Sequence, residues 1–158
     1  MSGISNFTFL KAHDARLLAL GALAERYFKD DPSTSIVKLR QFAELLAKTV
    51  AAFHAIYDEQ DTFEQRLRRL SYERAIPKET ADLFHVLRKV GNDAVHDAVG
   101  THAEALSSLK FARQLAVWFH STYGLQPDFK PGPFVPPQEP VDATQALTEE
   151  IAALPADR

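Results

Sequence analysis

The chain has 158 residues, of which 46% are hydrophobic and 25% charged, with a formal net charge of −3 and no cysteine. That length suits one domain with a buried core, and the balance excludes a disordered chain and a wholesale basic nucleic-acid binder, although a local patch can still meet phosphate. Without cysteine there is no disulfide, thiolate metal site or cysteine nucleophile; no apolar run spans a bilayer and MSGISNFTFLK lacks the build of a signal peptide, so a cytoplasmic address is expected.

The first periodic segment, about His13 to Phe28, carries Leu17, Leu18, Leu20, Ala24 and Phe28 and predicts a helix. Asp31 can accept hydrogen bonds from free backbone N–H groups and Pro32 suits a first helical position, so a second helix starts there. Ile36, Leu39, Ala43, Leu46, Val50 and Phe53 carry its apolar face to about Ile56. Thr62–Arg74 has Phe63, Leu67 and Leu70 on one side and Arg66, Arg68, Arg69 and Arg74 around the other. Those four arginines form either a weak phosphate contact or a solvated helix face, which is what charge runs usually are.

Thr80–Asp97 combines an apolar stripe of Leu83, Phe84, Leu87, Val90, Ala94 and Val95 with polar Arg88, Asn92 and His96. These three fall at i, i+4 and i+8, a polar stripe along roughly 12 Å of axis. Gly91 costs about 1 kcal/mol relative to Ala inside a helix, so a close neighbour is expected, and the Ala- and Leu-rich last helix is the expected one. That last helix runs from about His102 to Tyr123 and ends before Gly124. Six of the nine prolines then fall in Pro127–Pro140, an extended strap that Phe129, Phe134 and Val135 can pin to the bundle. Asp142–Leu154 returns to a short helical pattern. The expected architecture is all-α: a bundle of about five helices over 1–126, a Pro-rich strap over 127–141, and a short helix in 142–158 that leads towards further domains.

Chemical motifs are sparse. The six histidines include no pair at i, i+3 or i, i+4 and no HExxH, so no metal site is expected. There is no P-loop and no G-x-S-x-G elbow. For Arg88, Asn92 and His96 two readings stand. They converge on a phosphodiester or a partner chain, or else Arg88 pairs with a local carboxylate, Asn92 bonds backbone or solvent, and His96 is hydrogen-bonded near its helix end.

The segment LRKVGNDAVH, Leu87 to His96, resembles the LRxxGNxAxH signature of a helical domain at the N-terminus of type I restriction enzyme R subunits. Ser5–Lys11, Asp31–Glu44, Ala112–Gly124 and Asp128–Pro137 are similar to further stretches of that domain, in the same order. The resemblance implies a parent that cleaves DNA after ATP-driven translocation with Mg²⁺, assembled with methyltransferase and specificity subunits. It implies no catalytic residue and no cofactor in this segment, whose partners would be the other domains of its subunit, with DNA bound weakly if at all and no membrane. The chain is accordingly expected to be a noncatalytic assembly or DNA-handling module, with a free-standing helical adaptor as an alternative. The same signature resembles the HEPN superfamily, some of whose members cut RNA with an Arg, four to six residues, then a His. Here Arg88 and His96 have seven residues between them, and Gly91 stands where active members carry arginine. A HEPN-like ribonuclease or an inactive antitoxin-like relative is therefore the other alternative.

Overall fold

The computed structural model describes residues 5–97, 100–126 and 128–137. After a 3₁₀ turn over Thr8–Ala12 come five α-helices: α1 (Ala15–Tyr27), α2 (Pro32–Phe53), α3 (Phe63–Tyr72), α4 (Lys78–Asp97) and α5 (His102–Tyr123). There is no strand among the described residues. The architecture is the all-α bundle that the periodicities require.

Helix starts are set by side chains that take up otherwise free backbone N–H groups, each worth about 1 kcal/mol. Asp14 accepts from Arg16 at 2.8 Å to open α1, and Asp31 accepts from Thr34 at 3.0 Å with Pro32 behind it to open α2. Thr62 with Gln65, and Thr101 with Glu104, form reciprocal capping boxes at α3 and α5.

Helix α2 is the axis of the bundle and packs against each of the other four helices. Its Ile36, Leu39, Phe42, Ala43, Leu46 and Val50 are buried, and they meet Leu17 and Ala24 of α1, Leu67 and Leu70 of α3, Phe84 and Leu87 of α4, and Leu109, Leu115 and Phe119 of α5. A central helix must bury any polar group with a partner. Ser35 does so by donating to the Ala24 carbonyl at 2.7 Å, which joins α1 to α2.

Several expected boundaries shift. The helix expected from His13 begins at Ala15, because the preceding residues close the 3₁₀ turn and Asp14 caps. Helix α2 stops at Phe53 rather than near Ile56: Ala55 turns left-handed at φ 58°, and Ile56 N–H reaches back to the Ala51 carbonyl at 2.9 Å. Helix α4 begins at Lys78, directly after Pro77, whose fixed φ suits a helix start.

Residues 128–137 run extended along the bundle. Phe129 sits 5.1 Å from the Phe9 ring and 4.3 Å from the His120 ring, and Phe134 packs against the core. Val135 was expected to pin the strap through its apolar side chain, but the residue is 60% exposed; its backbone makes the attachment instead. The Asn6 carboxamide accepts from Val135 N–H at 2.8 Å and donates to Val135 O at 2.7 Å and to Glu25 Oε2 at 2.7 Å. Arg113, buried on α5, donates to Pro131 O at 2.7 Å. The helix expected over Asp142–Leu154 lies outside the described residues, as does the boundary at 141/142.

Asn6→Ala deletes the three part-buried hydrogen bonds that its carboxamide makes with Val135 and Glu25, so it is expected to lower unfolding stability by about 1–3 kcal/mol. Limited proteolysis should cut residues 128–137 faster in the variant than in the wild type; equal rates with an unchanged urea midpoint would contradict this attachment.

Candidate functional site

Arg40 of α2 and the signature of α4 meet where the two helices come closest. A Cβ built on Gly91 would lie 2.4 Å from Arg40 Cβ and 2.6 Å from its Cδ, so position 91 has no room for a side chain. The stem of Arg40 lies over Gly91. From there its Nε donates to Asn92 Oδ1 at 2.7 Å, its Nη1 pairs with Glu44 Oε1 at 3.3 Å, and the guanidinium lies 5.6 Å from the Phe63 ring centroid. The close neighbour of Gly91 is thus α2 and not the last helix, as had been expected. Residue 40 lies 52 positions before Asn92, and nothing local in either segment announces the pairing.

The three residues of the polar stripe serve different neighbours. Arg88, with its side chain 13% exposed, points to α3, where Nη1 lies 3.7 Å from Glu64 Oε2. Arg68 reaches the other oxygen of the same carboxylate at 2.5 Å, and its hydrogen bond, with Arg68 and Arg88 charge behind it, holds Glu64 below the usual carboxylate range. Asn92 faces α2. His96 is exposed. With His96 exposed, its removal is expected to cost what an ordinary surface change does, about 0.5 kcal/mol or less.

The four arginines of α3 and its following turn do not form one patch. Arg66 is only 2% exposed; its stem crosses the apolar face, Nη2 donates to Asp58 O at 2.8 Å, and the guanidinium lies 5.0 Å from the Tyr57 ring centroid. It fastens the turn between α2 and α3 and does not face a phosphate. Arg69 makes a two-point pair with Asp61 at 2.9 and 3.0 Å, which holds Asp61 below the usual carboxylate range. Arg68 is exposed but paired with Glu64. Arg74 is exposed and has no ion pair among the described residues.

A second polar cluster joins residues that are remote in sequence. His13 Nε2 and His120 Nδ1 are 2.7 Å apart, and His120 Nε2 lies 3.0 Å from Gln126 Oε1. One tautomer satisfies the chain: His13 donates to His120, and His120 donates to Gln126. Burial, and secondarily the charge of His120, push the His13 pKa below the usual histidine value. Among the described residues no group of three His, Cys, Asp or Glu side chains is gathered as metal ligands would be. The histidines are 107 positions apart, so helical spacing could not reveal them.

A family model described as "Domain of unknown function (DUF4145)" matches residues 23–128. The chain is 32% identical over 138 residues to the type I restriction enzyme EcoKI endonuclease subunit of Escherichia coli (strain K12), a match that covers 87% of this chain and 12% of that protein. The chain thus spans 12% of the length of the relative it matches. No solved structure matches it.

Gly91→Ala separates helix propensity from packing, since the two predict opposite signs. Propensity alone would stabilise by about 1 kcal/mol. The contact with Arg40 Cβ cannot be relieved by a rotamer change, so the variant is expected to lose about 1–3 kcal/mol in a urea or thermal melt. A raised midpoint would remove the close-contact account.

Proposed function

The chain belongs to the DUF4145 family, and on that premise we propose that it is a noncatalytic assembly or DNA-handling module of the endonuclease and motor subunit of a type I restriction enzyme. The observation that carries the reading is the alignment of nearly the whole chain with one such subunit. In this reading the parent cleaves DNA with ATP and Mg²⁺ in the cytoplasm, and the bundle packs against other domains of its subunit and supports contact with methyltransferase and specificity subunits. In this reading the helices from Ala15 to Tyr123 are the folded module and residues 128–137 the strap that runs along it. No helix among the described residues is long and apolar enough to cross a membrane.

The site's bonding favours a structural use of the signature. Asn92 offers its oxygen to Arg40, Gly91 admits the Arg40 stem, and Arg88 shares Glu64 with Arg68. Together they hold α3 and α2 to α4 at a fixed angle. A surface presented by such a bundle is preorganised, which lowers the entropic cost of docking. An adaptor that stands alone would use the same rigidity. A HEPN-like ribonuclease needs instead a cation and His96 on one scissile phosphate, and Arg88 and Asn92 are turned to different helices.

The purified chain, incubated with labelled single-stranded RNA and with DNA, with and without Mg²⁺, should cut neither. RNA cleavage that disappears in a His96→Ala variant of normal stability would overturn the noncatalytic reading in favour of the ribonuclease, because general acid–base groups contribute typically 10²–10⁴-fold.

A further inference from the structure

Away from the signature, an open cleft of about 740 Å³ lies where the turn from α3 into α4 meets the later turns of α5. Its walls carry Arg74 and Lys78, the hydroxyls of Ser71 and Thr122, the imidazole of His85 and the indole of Trp118. The volume falls in the roughly 300–1,000 Å³ range of small-ligand pockets. Arg74 is the exposed arginine of its group with no ion pair among the described residues, in contrast to Arg68 and Arg69. Lys78 pairs with Asp82 at 3.2 Å, but both side chains are exposed, so the pair is weak and its ammonium can be shared. On the α4 side Arg88 and Lys89 bring positive charge and Glu64 and Asp82 negative, Asp82 lining the cleft beside Lys78; burial first, and then the two cations, press the His85 pKa down against the two carboxylates. A bare anion would leave the indole unused, and an apolar ligand would leave the cations unused. A ligand with a flat aromatic ring next to a phosphate uses both, and an open cleft admits a chain that enters and leaves.

We propose that this cleft binds one nucleotide of a single-stranded nucleic acid, with the base against the Trp118 indole and the adjoining phosphate on Arg74 and Lys78. The proposal extends the DNA-handling half of the proposed function and stands on residues separate from the α2–α4 contact. Base–aromatic stacking is sequence-tolerant, and phosphate contacts make such binding fade with salt.

Trp118 is the single tryptophan of the chain; it also borders the smaller cleft beside Phe134, so its fluorescence reports binding at either surface and the Arg74 variant assigns it to this one. Titration at low salt with hexathymidylate and with hexauridylate should give saturable quenching by at least one of them, the tighter naming the natural strand, while a blunt duplex of equal length should quench little. Arg74→Gly is the informative variant: Arg74 sits at φ 56°, a conformation that glycine adopts freely, so the fold is kept while the guanidinium is lost. It should weaken binding several-fold and reduce the slope of log K against log salt by about 0.7. Arg68→Ala, outside the cleft, should bind as the wild type does. No saturable quenching by either strand, equal quenching by the duplex, or Arg74→Gly binding with wild-type affinity and salt slope would overturn the proposal. None of these results bears on whether the chain cuts RNA, so failure here is distinguishable from failure of the noncatalytic reading.

Discussion

Helix α4 can lie against α2 as closely as it does only because position 91 carries no side chain. The roles of Gly91 and Asn92 in the signature follow from that approach. The Arg40 stem fills the space, its Nε is delivered to Asn92 one residue further on, and its guanidinium lies over the Phe63 ring at the start of α3. Magnitudes say which contact matters. The Arg40–Glu44 pair is an i,i+4 pair of partly exposed groups, worth about 0.3–0.5 kcal/mol. A hydrogen bond to a charged donor is worth about 1.5–3 kcal/mol, enough to offset the roughly 1 kcal/mol that glycine costs in a helix. The bond to Asn92, and not the ion pair, offsets that cost.

The two ends of the described chain form a second unit. Asn6 and Ser5 share the Glu25 carboxylate on α1, and Asn6 in turn takes both backbone groups of Val135. Phe9 lies between Phe129, His120 and the Arg113 guanidinium. The 3₁₀ turn and the strap therefore lie side by side across α1 and α5, which sets where residues 128–137 leave the bundle. The strap is thus held both by hydrogen bonds to the Val135 backbone and by the packing of Phe129 and Phe134.

Much of this was legible. Long apolar stripes gave α2, α4 and α5, and Asp31-Pro32 marked the start of α2. The T-x-x-Q and T-x-x-E patterns at 62–65 and 101–104 were also readable as capping boxes, although hydrophobic periodicity alone did not draw attention to them. The left-handed residues were not legible: Ala55 and Arg74 end α2 and α3 with φ 58° and 56°, where glycine would have been the visible sign. Gly91 advertised a close neighbour but not which one, because packing partners are set by tertiary geometry and not by local spacing. Arg66 shows the same limit. Its place in a basic run suggested solvent, and the three-dimensional course of the Tyr57–Asp61 turn put carbonyls and a ring around it instead. His13 with His120, and Asn6 with Val135, are long-range pairs that no helical period encodes.

The account turns on Arg40 and Asn92 acting as one unit between α2 and α4. Its most direct measurement is a double-mutant cycle in urea unfolding with Arg40→Ala, Asn92→Ala and the double variant. The account predicts a favourable coupling energy of about 1.5–3 kcal/mol, the value of a hydrogen bond to a charged group. Single effects that add to within about 0.3–0.5 kcal/mol, as for independent sites, would contradict it.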